Sequence, residues 1–412
     1  MRNYCKILYI SHCSGGGGSP KSLALLLDSL DKNKYEPIVL FNKSNLVEES
    51  FKKREIKTYF GKIISFGVYA YHPKISAMDI YHLLSGFLPN IISIFRVIKR
   101  EKIELVHLNS TVLAISAIAS RLAGVKKIVW HIREAMPNNR MGYLEKKFID
   151  FIASDIIVMS KDMQMLFDKR KTTLIYNGID IEDFKYDSGR ELIKKEYQLD
   201  DSQIIFTHVS TLAPTKGSFI CIKALKQITE LGYNAKLFMI GGQAHKKANN
   251  IKAKFKGIIK YMFGFKTYNW KQELEKIAEE LGIIDKVIFT GYRDDVPNFM
   301  SLSHAVVAPN LQAEGFGRIL IESGALKKPI ISTKIPPTPE IVIDGRTGIL
   351  VEPGNVNALS NAMIYIINNL TKTQEMGENG YQNVVRNFNA NTTHSKIVDL
   401  YERILSSDAG KQ

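Results

Sequence analysis

Short apolar runs of strand length alternate with helical patterns along most of this chain, and that alternation constrains its fold more than any other feature. Lys6–Ser11 is the first such run, followed by a glycine stretch, Gly15–Gly18, and a helical pattern from Pro20 to Leu30. Further strands are expected at Pro37–Phe41, Leu105–Asn109, Lys127–His131, Asp155–Met159 and Thr173–Tyr176. Helical patterns at Ile91–Lys102, Thr111–Ala123 and Gly142–Ala153 lie between them. Parallel neighbours in a sheet need a long crossover, usually a helix, so strand–helix–strand repetition points to parallel α/β layers. A second alternation begins with a strand at Ile204–Ser210 and a helix at Phe219–Leu231. It continues through strands at Lys236–Ile240, Val287–Gly291 and His304–Ala308, and three helical stretches follow Val351. The break falls near Asp183, so two Rossmann-like domains are expected, 1–183 and 184–390, with a helical segment 391–412 after them.

Composition narrows the class. A chain of 412 residues with 45% hydrophobic and 24% charged residues is globular and long enough for two or three domains. Cys5, Cys13 and Cys221 have no metal or disulfide spacing, which fits a reducing cytoplasmic setting. The apolar run Ile7–Ile10 is too short for a signal sequence, and no later stretch of membrane-span length is free of charge. Neither export nor a membrane span is therefore expected. The net charge of +15 favours an anionic partner: nucleic acid, an anionic membrane or a phosphorylated substrate. No nucleic-acid-binding module accompanies the charge, so nucleic acid is not expected.

The chemistry concentrates at Glu314-Gly-Phe-Gly-Arg-Ile-Leu-Ile-Glu322, which follows the His304–Ala308 strand. Glu314 is expected just before a helix and Glu322 about two turns along it, with Lys327-Lys328-Pro329 as the stop. Taken as continuous helix, the separation is roughly 12 Å, too far to share a proton but suited to gripping two ends of one elongated ligand. The helix's first turn offers free N–H groups to a phosphate. Pro336-Pro-Thr-Pro-Glu340 and Asp344-Gly-Arg-Thr-Gly348 follow in register. Together these segments resemble the retaining GT4 glycosyltransferases, whose E-x7-E motif binds a nucleotide-sugar donor. The resemblance implies the GT-B fold: two Rossmann-like domains facing across a donor cleft, with the last helix, here Thr393–Ser406, crossing back to the first domain.

Further roles follow from the resemblance. Gly16 and Gly17 match a glycine pair that lies against the donor diphosphate; Pro20 excludes a dinucleotide fingerprint. His131, in Trp130-His131-Ile-Arg133-Glu134, matches the active-site histidine that contacts donor sugar hydroxyls. Arg133 and Glu134 could instead pair with each other. Ile175–Asp180 resembles the end of the first domain, where Asn177-Gly178 is a turn. Ser210–Gly217 matches the phosphate loop. Lys216 fits it, but Thr211 occupies the usual position of a second, arginine clamp. Arg318 is expected to supply that missing charge. Glu322 is expected to hold the ribose hydroxyls and Glu314 to face the transferred sugar. Phe316 and Gly317 would lend backbone N–H groups, and Tyr292 would line the base pocket. Asp294-Asp295 lacks D-x-D spacing and is expected to cap a helix, so no metal and no cofactor are expected.

The implied reaction is retaining, metal-independent transfer of a sugar from a nucleoside diphosphate to a glycan or lipid-linked acceptor, in envelope or surface polysaccharide synthesis. Ala244–Gln272 is an added feature, with eight lysines and no acid. Ile251, Phe255, Ile258, Ile259, Met262 and Phe263 share one helical face, a pattern suited to an anionic membrane surface. A cytoplasmic enzyme peripheral to the inner membrane face is the expectation. The alternatives are a nucleotide-sugar epimerase or hydrolase of the same fold, and a catalytically silent binding protein, which the loss of arginine at Thr211 would suit.

Overall fold

Backbone contacts group the chain into two units. One contains Met1–Ile181, Ala313–Arg318 and Arg386–Gln412; the other contains Glu182–Gln312 and Ile319–Val385. The computed structural model describes residues 4–12, 18–42, 45–69, 74–75, 77–184, 189–242 and 269–406. Gly16, Gly17 and nearly all of Ala244–Gln272 lie outside these.

The first unit is built on a sheet of seven strands among the described residues, in the order β3-β2-β1-β4-β5-β6-β7. These are β1 (Cys5–Ser11), β2 (Tyr35–Phe41), β3 (Lys57–Phe60), β4 (Leu105–Leu108), β5 (Lys127–His131), β6 (Asp155–Val158) and β7 (Thr172–Leu174), each parallel to its neighbours. Alternate residues of β1 feed two cores, as a strand's period of two requires. Leu8 and Ile10 join Trp130 and Ile149 on one face. Ile7 and Tyr9 join Leu23, Leu27 and Tyr401 on the other. A strand buried on both faces is a continuous apolar run, which is why Ile7–Ile10 is uninterrupted by polar residues. Helix Ala390–Ser406 belongs to this unit and buries Ile397, Leu400, Tyr401 and Ile404, one stripe at helical spacing.

Helix Ala77–Glu101, with Pro89 inside it, extends well beyond the expected Ile91–Lys102. It is long and apolar enough over Asp79–Glu101 to cross a membrane, by length and composition. Tyr81, Leu84, Leu88 and Ile92 on it are exposed. The short edge strand β3, with no buried residue, gave no apolar signal in the sequence.

The second unit carries six strands among the described residues, in the order β10-β9-β8-β11-β12-β13. They are β8 (Ile204–Val209), β9 (Ala235–Ile240), β10 (Val287–Gly291), β11 (Ala305–Ala308), β12 (Ile330–Thr333) and β13 (Gly348–Val351), again all parallel. The core gathers Phe206, Leu225, Leu237, Val307 and Met363. Strands β12 and β13 were not identified in the sequence, where they lie among the turn residues between Lys327 and Gly354. In each sheet the strand order reverses once, between β1 and β4 and between β8 and β11. Open α/β sheets bind ligands outside the carboxyl ends of their strands at such a reversal.

Candidate functional site

In the first unit, the reversal places Asn109, which follows β4, near the end of β5. His131 is the last residue of β5 and is 2% exposed. Its Nδ1 lies 3.3 Å from His107 Nε2, and His107 Nδ1 lies 2.7 Å from the Tyr401 hydroxyl. Burial, reinforced by the Arg133 charge, holds His107 down to about 3 and His131 well below the ordinary histidine range. Both rings are therefore neutral at pH 7. A neutral imidazole carries one N–H and one acceptor nitrogen, so the three-group chain has two consistent settings. If Tyr401 donates, His107 donates on to His131 and His131 presents an N–H at Nε2. If Tyr401 accepts, Nε2 presents a lone pair. That Nε2 is buried and has no hydrogen-bond partner among the described residues. A buried polar atom without a partner needs an explanation, and a ligand hydroxyl supplies one.

Arg133 stands beside it. Its Nε donates to Asn109 Oδ1 at 2.9 Å and its Nη1 to Asn177 Oδ1 at 2.6 Å. Asn109 Nδ2 in turn donates to Ser19 Oγ at 3.2 Å, at the start of helix Gly18–Asp28. Glu134 accepts from Ser110 Oγ at 2.9 Å and from the Thr111 N–H at 2.7 Å. Asn177 thus does more than turn the chain, and the signal for Asn109 was its place just past a strand end.

The segment Ala313–Arg318 belongs to this same unit. A Cβ on Gly315 would stand 1.8 Å from the Arg133 carbonyl oxygen, so only glycine allows Glu314 to be carried this close to the end of β5. Phe316 is buried against Tyr176 and Phe388, with ring centroids 6.1 and 5.9 Å away. Gly317 follows at φ +80°, and helix Arg318–Ala325 starts only after it. Glu322 is therefore little more than one turn along the helix. The separation of about 12 Å, which assumed continuous helix, does not apply, because Gly315 and Gly317 keep residues 314–317 out of it. Arg318 Nη1 donates to Ser22 Oγ at 2.9 Å, and the side chain lies against Gly18. Arg318 thus reaches the first turn of helix Gly18–Asp28, whose free N–H groups already favour an anion.

Glu322 and Lys216 fall in the second unit. There the loop after β8 passes exposed Thr211, turns through Pro214–Lys216 and enters helix Ser218–Glu230 at Gly217. Gly217 has φ +69°, and a Cβ on it would meet the Pro309 carbonyl oxygen at 2.0 Å. The Leu311 N–H donates to Thr215 O at 2.8 Å. The loops after β8 and β11 are thus pressed together at the strand-order reversal. His208 braces them. Its Nδ1–H donates to Val307 O at 2.8 Å, so Nε2 accepts from Ser210 Oγ at 2.8 Å and Ser218 Oγ at 3.1 Å. Burial holds this histidine down to about 4, so it too is neutral. Sequence reasoning missed His208, which lies inside a strand, two residues before the Ser210–Gly217 segment.

Tyr292 follows β10 and is exposed. Asp295 takes the N-cap position of helix Val296–Leu302 but makes no capping hydrogen bond, contrary to expectation. Its carboxylate accepts from Arg293 at 2.7 and 2.8 Å, and Arg293 also binds Glu196. The neighbouring guanidinium holds Asp295 below the usual carboxylate range.

Two family models match the chain in succession. The first, Glycosyltransferase Family 4, spans residues 16–183, and the second, Glycosyl transferases group 1, spans residues 189–383. The Staphylococcus aureus capsular polysaccharide biosynthesis glycosyltransferase CapM is 26% identical over 279 residues, 65% of this chain and 67% of that protein. The Escherichia coli UDP-Gal:alpha-D-GlcNAc-diphosphoundecaprenol alpha-1,3-galactosyltransferase is 25% identical over 328 residues, 76% of this chain and 78% of that protein. Among solved structures, Anabaena HepE in complex with UDP and glucose superposes with a TM-score of 0.78 at 20% identity, covering 97% of this chain and 100% of its own. WaaG, a glycosyltransferase of lipopolysaccharide biosynthesis, superposes with a TM-score of 0.64 at 13% identity, covering 96% and 99%.

Proposed function

We propose, for a chain that belongs to the GT4-type glycosyltransferases of GT-B fold, a retaining, metal-independent transfer of a sugar from a nucleoside diphosphate to a glycan or lipid-linked acceptor of an envelope polysaccharide. The observation that carries the first-unit assignment is the buried, neutral His131, whose Nε2 has no partner among the described residues. A neutral ring binds a sugar hydroxyl without adding a cation beside an anomeric carbon that becomes electron-poor. Glu314, brought beside the end of β5 by Gly315, accepts hydrogen bonds from the transferred sugar, and the Phe316 and Gly317 N–H groups face it. Arg318 and the first turn of helix Gly18–Asp28, next to Gly16 and Gly17, meet the diphosphate, in place of the arginine that Thr211 lacks. In the second unit, Lys216 and the first turn of helix Ser218–Glu230 also take phosphate charge. Glu322 accepts from the ribose hydroxyls, and Tyr292 borders the base.

With the leaving diphosphate held by cations and helix N–H groups, a divalent metal is dispensable. No second carboxylate is assigned as a nucleophile, so a same-face displacement, in which the leaving phosphate takes the acceptor's proton, accounts for retention. The protein works on the cytoplasmic membrane face, held by the basic amphipathic stretch Ala244–Gln272. Deleting Asn249–Tyr268 is expected to move it to the soluble fraction.

The test is a panel of nucleotide sugars offered to purified protein, read first as a shift in melting temperature and then as transfer in the presence of chelator. One donor is expected to stabilise the wild type and not Glu322→Ala. Glu314→Gln is expected to retain that shift while kcat falls roughly a hundredfold. Arg318→Ala is expected to weaken donor binding. A donor KM and kcat unchanged in Arg318→Ala, or full turnover in Glu314→Gln, would overturn the respective role.

A further inference from the structure

A cavity of about 260 Å³ opens in the first unit, away from the groups assigned above. Its walls are Phe66, Val68, Ile115, Ile118 and Phe148, with Ala114 between them, and Met141 and Leu144 form an exposed rim. One carboxyl group enters this apolar lining. Glu145 Oε2 accepts from the Val68 N–H at 2.7 Å, while Oε1 is buried with no hydrogen-bond partner among the described residues. Gly67 makes room for it, since a Cβ there would stand 2.0 Å from Oε1. Desolvation by the apolar walls pushes Glu145 up to about 7, with the Glu134 charge adding to the effect. Glu134 follows Arg133 directly, so the cavity lies at the same end of the unit as His131.

Three occupants can be compared. Ordered water needs two to four polar partners, and among the described lining residues one buried side-chain polar atom, Glu145 Oε1, lacks a partner. A sugar, with a hydroxyl on nearly every carbon, would leave most of them unpaired against hydrocarbon. An apolar chain suits both the walls and the rim, because Met141 and Leu144 continue the apolar surface outward instead of closing the cavity. A cavity of about 150 Å³ already admits benzene, so this one has room for more than a single ring.

We propose that the cavity binds an alkyl or isoprenoid chain, the apolar end of an amphiphilic acceptor, with a hydroxyl or amide donor of that molecule on Glu145 Oε1. The chain's identity as part of an acceptor rests on the glycosyltransferase reading; the existence of the binding site does not.

The probe is octyl glucoside below its micelle-forming concentration, titrated calorimetrically into the whole protein, with glucose as the chainless control. Trp130, whose ring stands edge-on to Phe148, gives a second readout by fluorescence. Octyl glucoside is expected to bind at least tenfold more tightly than glucose. Ala114→Phe, which fills the cavity, is expected to abolish that advantage, and Glu145→Ala to reduce it about fivefold. If Ala114→Phe fails to fold, Ala114→Leu with an unchanged melting temperature serves instead. Equal binding of octyl glucoside and glucose, or undiminished binding in the folded filled variant, overturns the site. Nucleotide-sugar binding is measured on the same samples. Cavity-dependent alkyl binding without any nucleotide-sugar binding keeps the site and removes its acceptor role. Nucleotide-sugar binding without alkyl binding removes the site alone.

Discussion

At the carboxyl ends of β1, β4 and β5 the first unit gathers buried polar side chains, whereas at the ends of β8 and β11 the second presses backbone against backbone. His131, His107, Tyr401, Arg133, Asn109 and Asn177 form continuous hydrogen-bonded chains in the first. In the second, Gly217 lets one loop touch another, and His208 fixes their spacing. Side chains discriminate by hydrogen-bond pattern, which suits sugar hydroxyls that differ in stereochemistry. Backbone N–H groups at a helix start discriminate by charge and shape, which suits a phosphate common to many donors. The two units therefore should fail differently when altered.

The largest effect is expected from Gly217→Val in the second unit, which combines a left-handed backbone with collision at Pro309 O. A loss of roughly 3–5 kcal/mol in urea unfolding is anticipated. The control is Gly232→Ala, at φ +87° with nothing within 4 Å of the added Cβ, where strain alone operates and the loss should be roughly 1–2 kcal/mol. Similar losses at the two positions would mean that close loop contact is not what Gly217 provides.

Next comes acid. His107, His131 and His394 in the first unit have folded pKa values depressed below 6.5, mainly by burial. A histidine kept neutral by folding contributes stability that is present above its unfolded pKa and is lost as pH falls below about 6.5 toward the folded value. Each fully buried ring is expected to contribute on the order of 2–3 kcal/mol of this loss by pH 4. The second unit has His208 and the less buried His304 in the same condition. Trp130 lies in one unit and Trp270 in the other, so single-tryptophan variants report each separately. The Trp130 signal should change at the higher pH; the reverse order would show that the buried histidine cluster does not limit the first unit.

The smallest expected effect is Tyr401→Phe. Losing the hydrogen bond to His107 leaves the His131 tautomer unset, and kcat should fall roughly tenfold with donor KM little changed. Unchanged kcat at all pH values would reduce the Tyr401–His107 pair to packing.

Much of this architecture was legible because alternation survives where both faces of a strand are buried: β1, β5, β8 and β11 were all located from apolar runs. Boundaries were lost where a single residue type carried two meanings. Asp295 stands where a cap belongs but binds Arg293 instead. Glu322 was placed a turn too deep because Gly315 and Gly317 allow both helix and turn, and only the Arg133 carbonyl decides between them. Tyr401 and Glu145 were missed for a different reason. Their roles depend on partners far away in the chain, and no local spacing encodes a hydrogen bond across such a separation.

His107 and Tyr401 are 294 residues apart in sequence, yet they meet in one core. At a synthesis rate of about 5–20 residues per second, His107 waits roughly 15–60 s for Tyr401. Through that interval the face carrying Ile7, Tyr9, Leu23 and Leu27 lacks Ile397, Leu400, Tyr401 and Ile404. Until residues 390–406 are made, the ribosome-bound chain thus holds an uncovered apolar surface, a natural target for chaperones.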